Sequence, residues 1–416
     1  MKIWVFQHHA GMPQMNGLLR HYRFARELEK CDAQTVIFAG SYQYFSDENL
    51  IEDNSLWTEK EADGVRYVFV RTHKGHGLVQ RLINNHEYYS GLFRVSREYA
   101  EKYGKPDVIV ASSPDQRTLT AGIKIGKRMS VPVVCEVRDL YPEAIFNIYP
   151  VSGKDPVGKY LLNCERRAYE DADAVIFTKE GDTDHLKEEK WSEEFGGKIN
   201  LSKCFYINNG ISLRDREIIP FEDEDLEDDC FRAVYSGSLR YVNNIDKLLD
   251  TAKCLKDRNI KFLIYGDGYE REALLERIRF EKIDNCKIKG FVQNKYLPYI
   301  LSKCHLCILN YSGTKYNWSR GMSSNKLFEY MAGGKPVLST VKSGYSIIER
   351  IGCGVEVPDE NPAVIAEKIL EIMNMPKEKY NDMCHKSLLG VKEFDYEVLA
   401  EKFMSVLEYA IKNHNN

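Results

Sequence analysis

The sequence predicts an α/β protein made of two Rossmann-like, doubly wound domains facing a central cleft. Three observations predict this. Strand-like and helix-like patterns alternate along the whole chain, as in parallel sheets covered by helices. The alternation breaks once, at an acidic run, and then resumes. And 416 residues are too many for one ordinary core.

In the first half, Lys2–Phe6, Thr35–Ala39, Val65–Val70, Val108–Ala111, Val131–Cys135, Ala174–Phe177 and Phe205–Ile207 read as strands. Between them, Leu18, Tyr22, Ala25 and Leu28 form one helical stripe, and Leu119, Ile123 and Lys127 share another helix face. Residues 220–229 (PFEDEDLEDD) have little to bury and read as a solvated linker. Beyond it, Phe231–Tyr235, Lys261–Tyr265, Cys286–Lys289, His305–Leu309, Val337–Ser339 and Gly354–Val357 read as strands. Helices are expected at Asn244–Cys254, Glu270–Glu281, Ser323–Met331 and Val364–Met373. The predicted domains are residues 1–215 and 216–394.

Composition narrows the class. An apolar content of 43% with 29% charged residues is globular. A net charge of −4 argues against a nucleic-acid partner. Residues 66–138 nevertheless hold 13 Lys/Arg against 6 Asp/Glu, with Leu78, Val79, Leu82, Ile83 and Phe93 interspersed. That pattern suits either an anionic membrane surface or an ordinary solvated face. Eleven cysteines show no metal-ligand spacing, and Cys304-His305-Leu306-Cys307 lies in an apolar run, so structural thiols in a reducing cytoplasm are expected. The N-terminus reads as a first strand rather than a signal peptide, and no run approaches 18 apolar residues.

Residues 320–338 (RGMSSNKLFEYMAGGKPVL) carry the most chemistry. Ser323 or Ser324 caps a helix start, and the first-turn N–H groups suit an anion. Lys326 and Glu329 are i and i+3, Asn325 and Glu329 i and i+4, so the three share a side. Leu327, Tyr330 and Met331 take the other. On these residues alone, a diphosphate site and a plain amphipathic helix with a surface Lys326–Glu329 pair are both open. Ligands of open α/β sheets bind where strands end, which singles out further loops. Ser236–Ile245 offers Gly237, Arg240, and Asn243 or Asn244. Gly266-Asp267-Gly268 offers a tight turn. Lys289–Val292 offers backbone groups near Val292. Gln7–Gly17 offers His8, His9 and Gly17, but no dinucleotide fingerprint. Glu136–Glu143 offers Asp139 and Glu143, or else a buried Arg138–Asp139 network.

Met331-Ala332-Gly333-Gly334-Lys335-Pro336-Val337, with Glu329 before it, resembles the signature of the retaining glycosyltransferases of family 4, which have the GT-B fold. Asn209-Gly210-Ile211 and Arg138-Asp139-Leu140-Tyr141-Pro142 resemble further elements of that family. The family's first Glu would fall at Gly321 and is absent, so the chain looks more like the bacterial surface-polysaccharide branch that uses amino sugars. The resemblance implies donor binding by Gly17, Gly237, Arg240, Asn244, Gly266, Val292, Ser323, Ser324, Asn325, Lys326 and Glu329. It implies Asp139, Glu143 and Lys326 as catalytic groups and a C-terminal helix, 395–416, that crosses back onto the first domain. It further implies a UDP-sugar donor, no divalent metal, and an N-acetylated hexosamine type of sugar moved to a saccharide or polyprenyl-linked acceptor. The location implied is cytoplasmic, at the inner face of the plasma membrane. A sugar-nucleotide epimerase and a non-catalytic nucleotide-sugar-binding subunit are the alternatives.

Overall fold

The computed structural model describes residues 1–15, 18–44, 46–75, 77–148, 151–358 and 360–414. They form two compact units, Met1–Asn208 with Tyr396–Asn416, and Asn209–Asp395.

The N-terminal unit is built on eight strands: β1 (Lys2–Phe6), β2 (Gln34–Gly40), β3 (Trp57–Ala62), β4 (Val65–Val70), β5 (Val108–Ser112), β6 (Val133–Val137), β7 (Ala174–Phe177) and β8 (Cys204–Tyr206). Their order is β8-β7-β6-β5-β1-β2-β4-β3, parallel except for the antiparallel β3–β4 pair. Apart from the polar edge strand β3, the strands are largely apolar on both faces because helices cover both. Trp4, Phe6 and Phe38 pack into one core, while Ile3, Val5 and Ile37 pack into the other. That alternation is the period-2 geometry of a strand. Helices α1 (Arg20–Glu29), α2 (Leu78–Tyr103), α3 (Gln116–Met129), α4 (Tyr141–Ile148), α5 (Pro156–Asp171) and α6 (Asp182–Glu188) follow in chain order.

The C-terminal helix, Tyr396–Asn413, also belongs to this unit. Phe403 stacks on Phe24 of α1 at 4.6 Å, and Tyr396 meets the same ring edge-on at 5.2 Å.

The second unit has a six-stranded, all-parallel sheet: β9 (Phe231–Ser236), β10 (Ile260–Tyr265), β11 (Cys286–Gly290), β12 (Leu306–Leu309), β13 (Val337–Ser339) and β14 (Gly354–Glu356). The order is β11-β10-β9-β12-β13-β14. Its helices are α7 (Ile245–Cys254), α8 (Arg271–Glu281), α9 (Leu297–Lys303), α10 (Asn325–Ala332), α11 (Ile347–Ile351), α12 (Pro362–Met373) and α13 (Lys377–Gly390).

Differences from the sequence reading have local causes. The edge strand β3 has no counterpart there, since Thr58-Glu59-Lys60-Glu61 is polar and partly exposed. β6 runs Val133–Val137 instead of Val131–Cys135, because Pro132 has no N–H to give the ladder. The acidic run is not a solvated linker. Asp225 and Leu226 are 2% and 1% exposed. Lys261 of β10 and Lys287 and Lys289 of β11 converge on the Asp225 carboxylate at 2.7–2.8 Å, and Tyr265 donates to Asp223 at 2.8 Å. The lysines stand on neighbouring strands, a proximity no linear pattern reveals. The first compact unit ends at Asn208, ahead of the expected 215/216, because Ile211 N–H bonds to Phe394 O within the second unit.

Cys304 and Cys307 are buried free thiols. Among the described residues, no helix is long and apolar enough to cross a membrane.

Phe403→Ala removes the ring that locks the C-terminal helix onto α1. We expect a loss of about 3–5 kcal/mol in urea unfolding. A loss below about 1 kcal/mol would show that the ring is not part of this core.

Candidate functional site

In an open parallel sheet, the loops leaving the two strands on either side of the order reversal diverge and leave a crevice. In the second unit those strands are β9 and β12. β9 leads into Gly237 and β12 into the loop 310–324, and α10 starts beside them.

Ser324 is the N-cap of α10, but its hydroxyl pairs with Tyr311 Oη at 2.7 Å and makes no cap bond. The first-turn N–H groups therefore have no side-chain cap. Asn325 is exposed, and Ser323 O accepts from Asn209 Nδ2 at 2.6 Å. Leu327, Phe328, Tyr330 and Met331 are buried. The Tyr330 hydroxyl accepts from Ser236 N–H at 2.8 Å and donates to Ser236 O at 3.2 Å, which bolts α10 to the end of β9.

Lys326 is thereby held over the crevice. Its Nζ lies 4.7 Å from the Tyr235 ring centre and 4.4 Å from that of Tyr311. It donates to Tyr235 Oη at 3.2 Å and to Asn243 Oδ1 at 3.4 Å. Among the described residues no carboxylate pairs with it, so the i,i+3 surface pair of Lys326 with Glu329 does not form. Burial alone lowers the Lys326 pKa from its ordinary 10.5 to about 7. A Cβ on Gly237 would stand 3.0 Å from Lys326 Cδ, so glycine leaves room for the lysine.

Glu329 instead pairs with Arg216, Nη1 to Oε2 at 2.8 Å. Arg240 is exposed, close enough to Tyr235 to oppose the rise that burial gives that phenol. Asn244 takes a left-handed conformation before α7, and its carbonyl accepts from Asn310. The side chain that meets Lys326 is therefore that of its neighbour, the buried Asn243. Gly266 N–H bonds to Gly290 O at 2.7 Å, and Val292 packs half-buried against the core. Sequence reasoning missed Tyr235 and Tyr311 as walls of this site. Tyr235 reads there as an ordinary strand residue, and Tyr311 falls just past a strand with no motif around it.

In the first unit the order reverses between β1 and β5. Gln7 Nε2 donates to Ser113 O at 2.8 Å, and Ser113 Oγ accepts from Arg138 N–H at 2.8 Å, tying the ends of β1, β5 and β6 together. Glu136 is fully buried, with Arg20 at 2.9 Å, His21 at 2.7 Å and Ser112 at 2.6 Å. Burial would raise its pKa, but Arg20 and His21 hold it well below the usual value. Asp139 pairs with Lys179 at 3.0 Å rather than with Arg138. Glu143 lies in the first turn of α4. His8 stacks on Tyr88 and its Nε2 bonds Asn84 at 2.7 Å, while its Nδ1 is buried without a partner. Asn16 and Gly17 lie outside the described residues.

Two family models match this chain. "Glycosyl transferase 4-like domain" matches residues 19–193, and "Glycosyl transferases group 1" matches residues 230–375. The chain belongs to the GT-B glycosyltransferases, of the family-4 type. A 2-deoxystreptamine N-acetyl-D-glucosaminyltransferase from Niallia circulans is 26% identical over 114 residues, a match covering 27% of this chain and 28% of that relative. Sucrose-phosphate synthase from Thermosynechococcus elongatus superposes with a TM-score of 0.71 at 15% identity, covering 98% of each chain. Anabaena HepE, solved with UDP, gives 0.66 at 14% identity, covering 98% of this chain and 100% of its own.

In this glycosyltransferase, the position of the family's first Glu has a backbone reason to differ. Gly321 has φ +97°, a conformation that a glutamate would rarely adopt.

The Lys326 ammonium is a destabilising group in the ligand-free protein. Between about pH 7 and 10.5 the unfolded chain holds this proton and the folded chain does not, so this group's contribution to stability rises with pH there. Lys326→Met should therefore raise the melting temperature of the ligand-free protein, by more at about pH 6 than at about pH 10. An equal effect at both would contradict the depressed pKa.

Proposed function

We propose that the chain is a retaining hexosyltransferase. It moves a sugar of the N-acetylated hexosamine type from a UDP-sugar to a saccharide or polyprenyl-linked acceptor in cell-surface polysaccharide synthesis. The single observation that carries this reading is the Lys326 ammonium, desolvated at the β9–β12 crevice with aromatic walls and no paired carboxylate among the described residues. A cation so placed is short of an anion. The diphosphate of a nucleotide sugar supplies one and restores the lysine's positive charge. The uncapped first turn of α10 adds N–H donors to the same group. The UDP in the HepE structure and the sugar in the name of the Niallia relative support this choice of donor.

In the reaction the anomeric C–O bond to the β-phosphate breaks and an acceptor oxygen bonds to that carbon. The growing negative charge on the departing diphosphate is met by Lys326, with Arg240 at the rim. These fixed charges do the work a divalent metal does elsewhere. Glu329, oriented by Arg216, accepts hydrogen bonds from the ribose hydroxyls. The acceptor proton passes to a departing phosphate oxygen. Asp139 and Glu143 contribute from the acceptor side, where Lys179 orients Asp139.

Donor turnover measured with EDTA tests the assignment. Lys326→Ala and Glu329→Ala should each lose at least about 100-fold of wild-type activity, the effect of removing one preorganised charge partner. Wild type should keep its rate in EDTA. Unchanged activity in both variants would refute the site.

An anionic membrane as the acceptor's location fits the start of α2, where Val79, Leu82 and Ile83 are 62%, 50% and 49% exposed. Phe93 instead packs against the core, and the Leu78 side chain lies outside the described residues. The protein should sediment with vesicles containing anionic lipid and not with neutral ones. Insensitivity to lipid charge would remove the membrane from this reading.

A further inference from the structure

We propose that the ends of β1 and β6 in the N-terminal unit form a phosphate-binding site, in which Arg138 and Arg81 flank the loop carrying His9 and receive a phosphate or diphosphate group. The site stands on the geometry of that unit. Only the question of whose phosphate it takes rests on the sugar-transfer reading.

The Arg138 backbone is fixed on both sides, its N–H by Ser113 Oγ at 2.8 Å and its carbonyl by Thr178 Oγ1 at 2.8 Å. Its guanidinium makes no hydrogen bond or ion pair with any described residue, and its Nε is buried without a partner. The carboxylates nearest in charge are taken. Glu136 serves Arg20 and His21, and Asp139 serves Lys179. Arg81 likewise has no ion pair among the described residues. It sits three residues before Asn84 on α2, hence on the same helix face, and Asn84 reaches His8 at 2.7 Å. That contact brings the Arg81 face of α2 to the loop after β1.

The two guanidiniums thus approach one loop. Burial first, then the charges of Arg81 and Arg138, push the His9 pKa down to about 4, so His9 is neutral near neutral pH and does not add to their repulsion. His8 and His9 stack at 4.3 Å, which fixes the His9 ring. Two like charges with no direct ion pair of their own among the described residues, one of them with a buried unsatisfied donor and only the more distant charges of Glu136 and Asp139 to offset it, form a site that the guanidinium fork's match to phosphate oxygens would complete.

Isothermal titration of the full chain tests this, with UDP alone and with inorganic pyrophosphate at saturating UDP as probes. Arg138→Gln should weaken one of the two at least about tenfold. Arg138→Lys should recover part of the loss, and Arg81→Gln, an exposed change that leaves the core intact, should weaken the same probe. If UDP binding falls, the phosphate is the donor's. If only pyrophosphate binding at saturating UDP falls, it is a second, acceptor-derived phosphate. Wild-type affinity for both probes in Arg138→Gln and Arg81→Gln would overturn the proposal. Lys326→Gln keeps the two ideas apart. UDP affinity unchanged in that variant would defeat the donor-site reading and leave this one standing.

Discussion

The second unit depends on one uncompensated charge, the Lys326 ammonium over the rings of Tyr235 and Tyr311. Desolvating an ammonium costs several kcal/mol. The helix that carries it offsets that cost. Leu327, Phe328, Tyr330 and Met331 are all buried, and burial of such side chains contributes about 1.5–3 kcal/mol apiece. The Tyr330 hydroxyl then fixes where α10 meets β9, so the lysine has little freedom to swing out to water. Cation–aromatic attraction recovers part of the lost hydration. The fold holds a cation ready for an anion because apolar packing beneath it is stronger than the charge's preference for solvent.

The first unit treats its principal buried charge in the opposite way. Glu136 is surrounded by Arg20, His21 and Ser112, and Arg20 also donates to Ile207 O and Asn208 O. A charge so fully paired ties β6 to α1 and to the chain just past β8, and it is a structural group. Arg138, two residues further on, lacks such partners among the described residues. The contrast between a saturated Glu136 and an unsaturated Arg138 separates scaffold from surface chemistry within three residues of one strand end.

The two-domain α/β architecture is legible in the sequence because it rests on periodicity, and its family-4 type because residues 329–337 resemble that family's signature. Apolar strands alternating with amphipathic helices, interrupted once, lead directly to two parallel sheets. The helix at α10 is legible for the same reason, with Ser324 before it and Gly333-Gly334 after it. The edge strand β3 is not, since its polar residues resemble a loop until β4 is beside it. The acidic run reads as a linker because its partners are remote. Lys261 and Lys289 stand 36 and 64 positions from Asp225, and only the sheet brings them to its carboxylate.

By itself, the sequence determined that Lys326 would open a helix beside a strand end, and that a Glu would stand one turn on. It did so because local spacing decides which residues share a helix face. Whether Lys326 would meet Glu329 or be drawn into the crevice was decided only by tertiary structure. Arg216, from another segment, takes the Glu329 carboxylate, and Tyr235, Asn243 and Tyr311 arrive from separate strands and loops to receive the lysine. Burial, which sets that lysine's pKa, is a property of the assembled neighbourhood and has no signature in the linear chain.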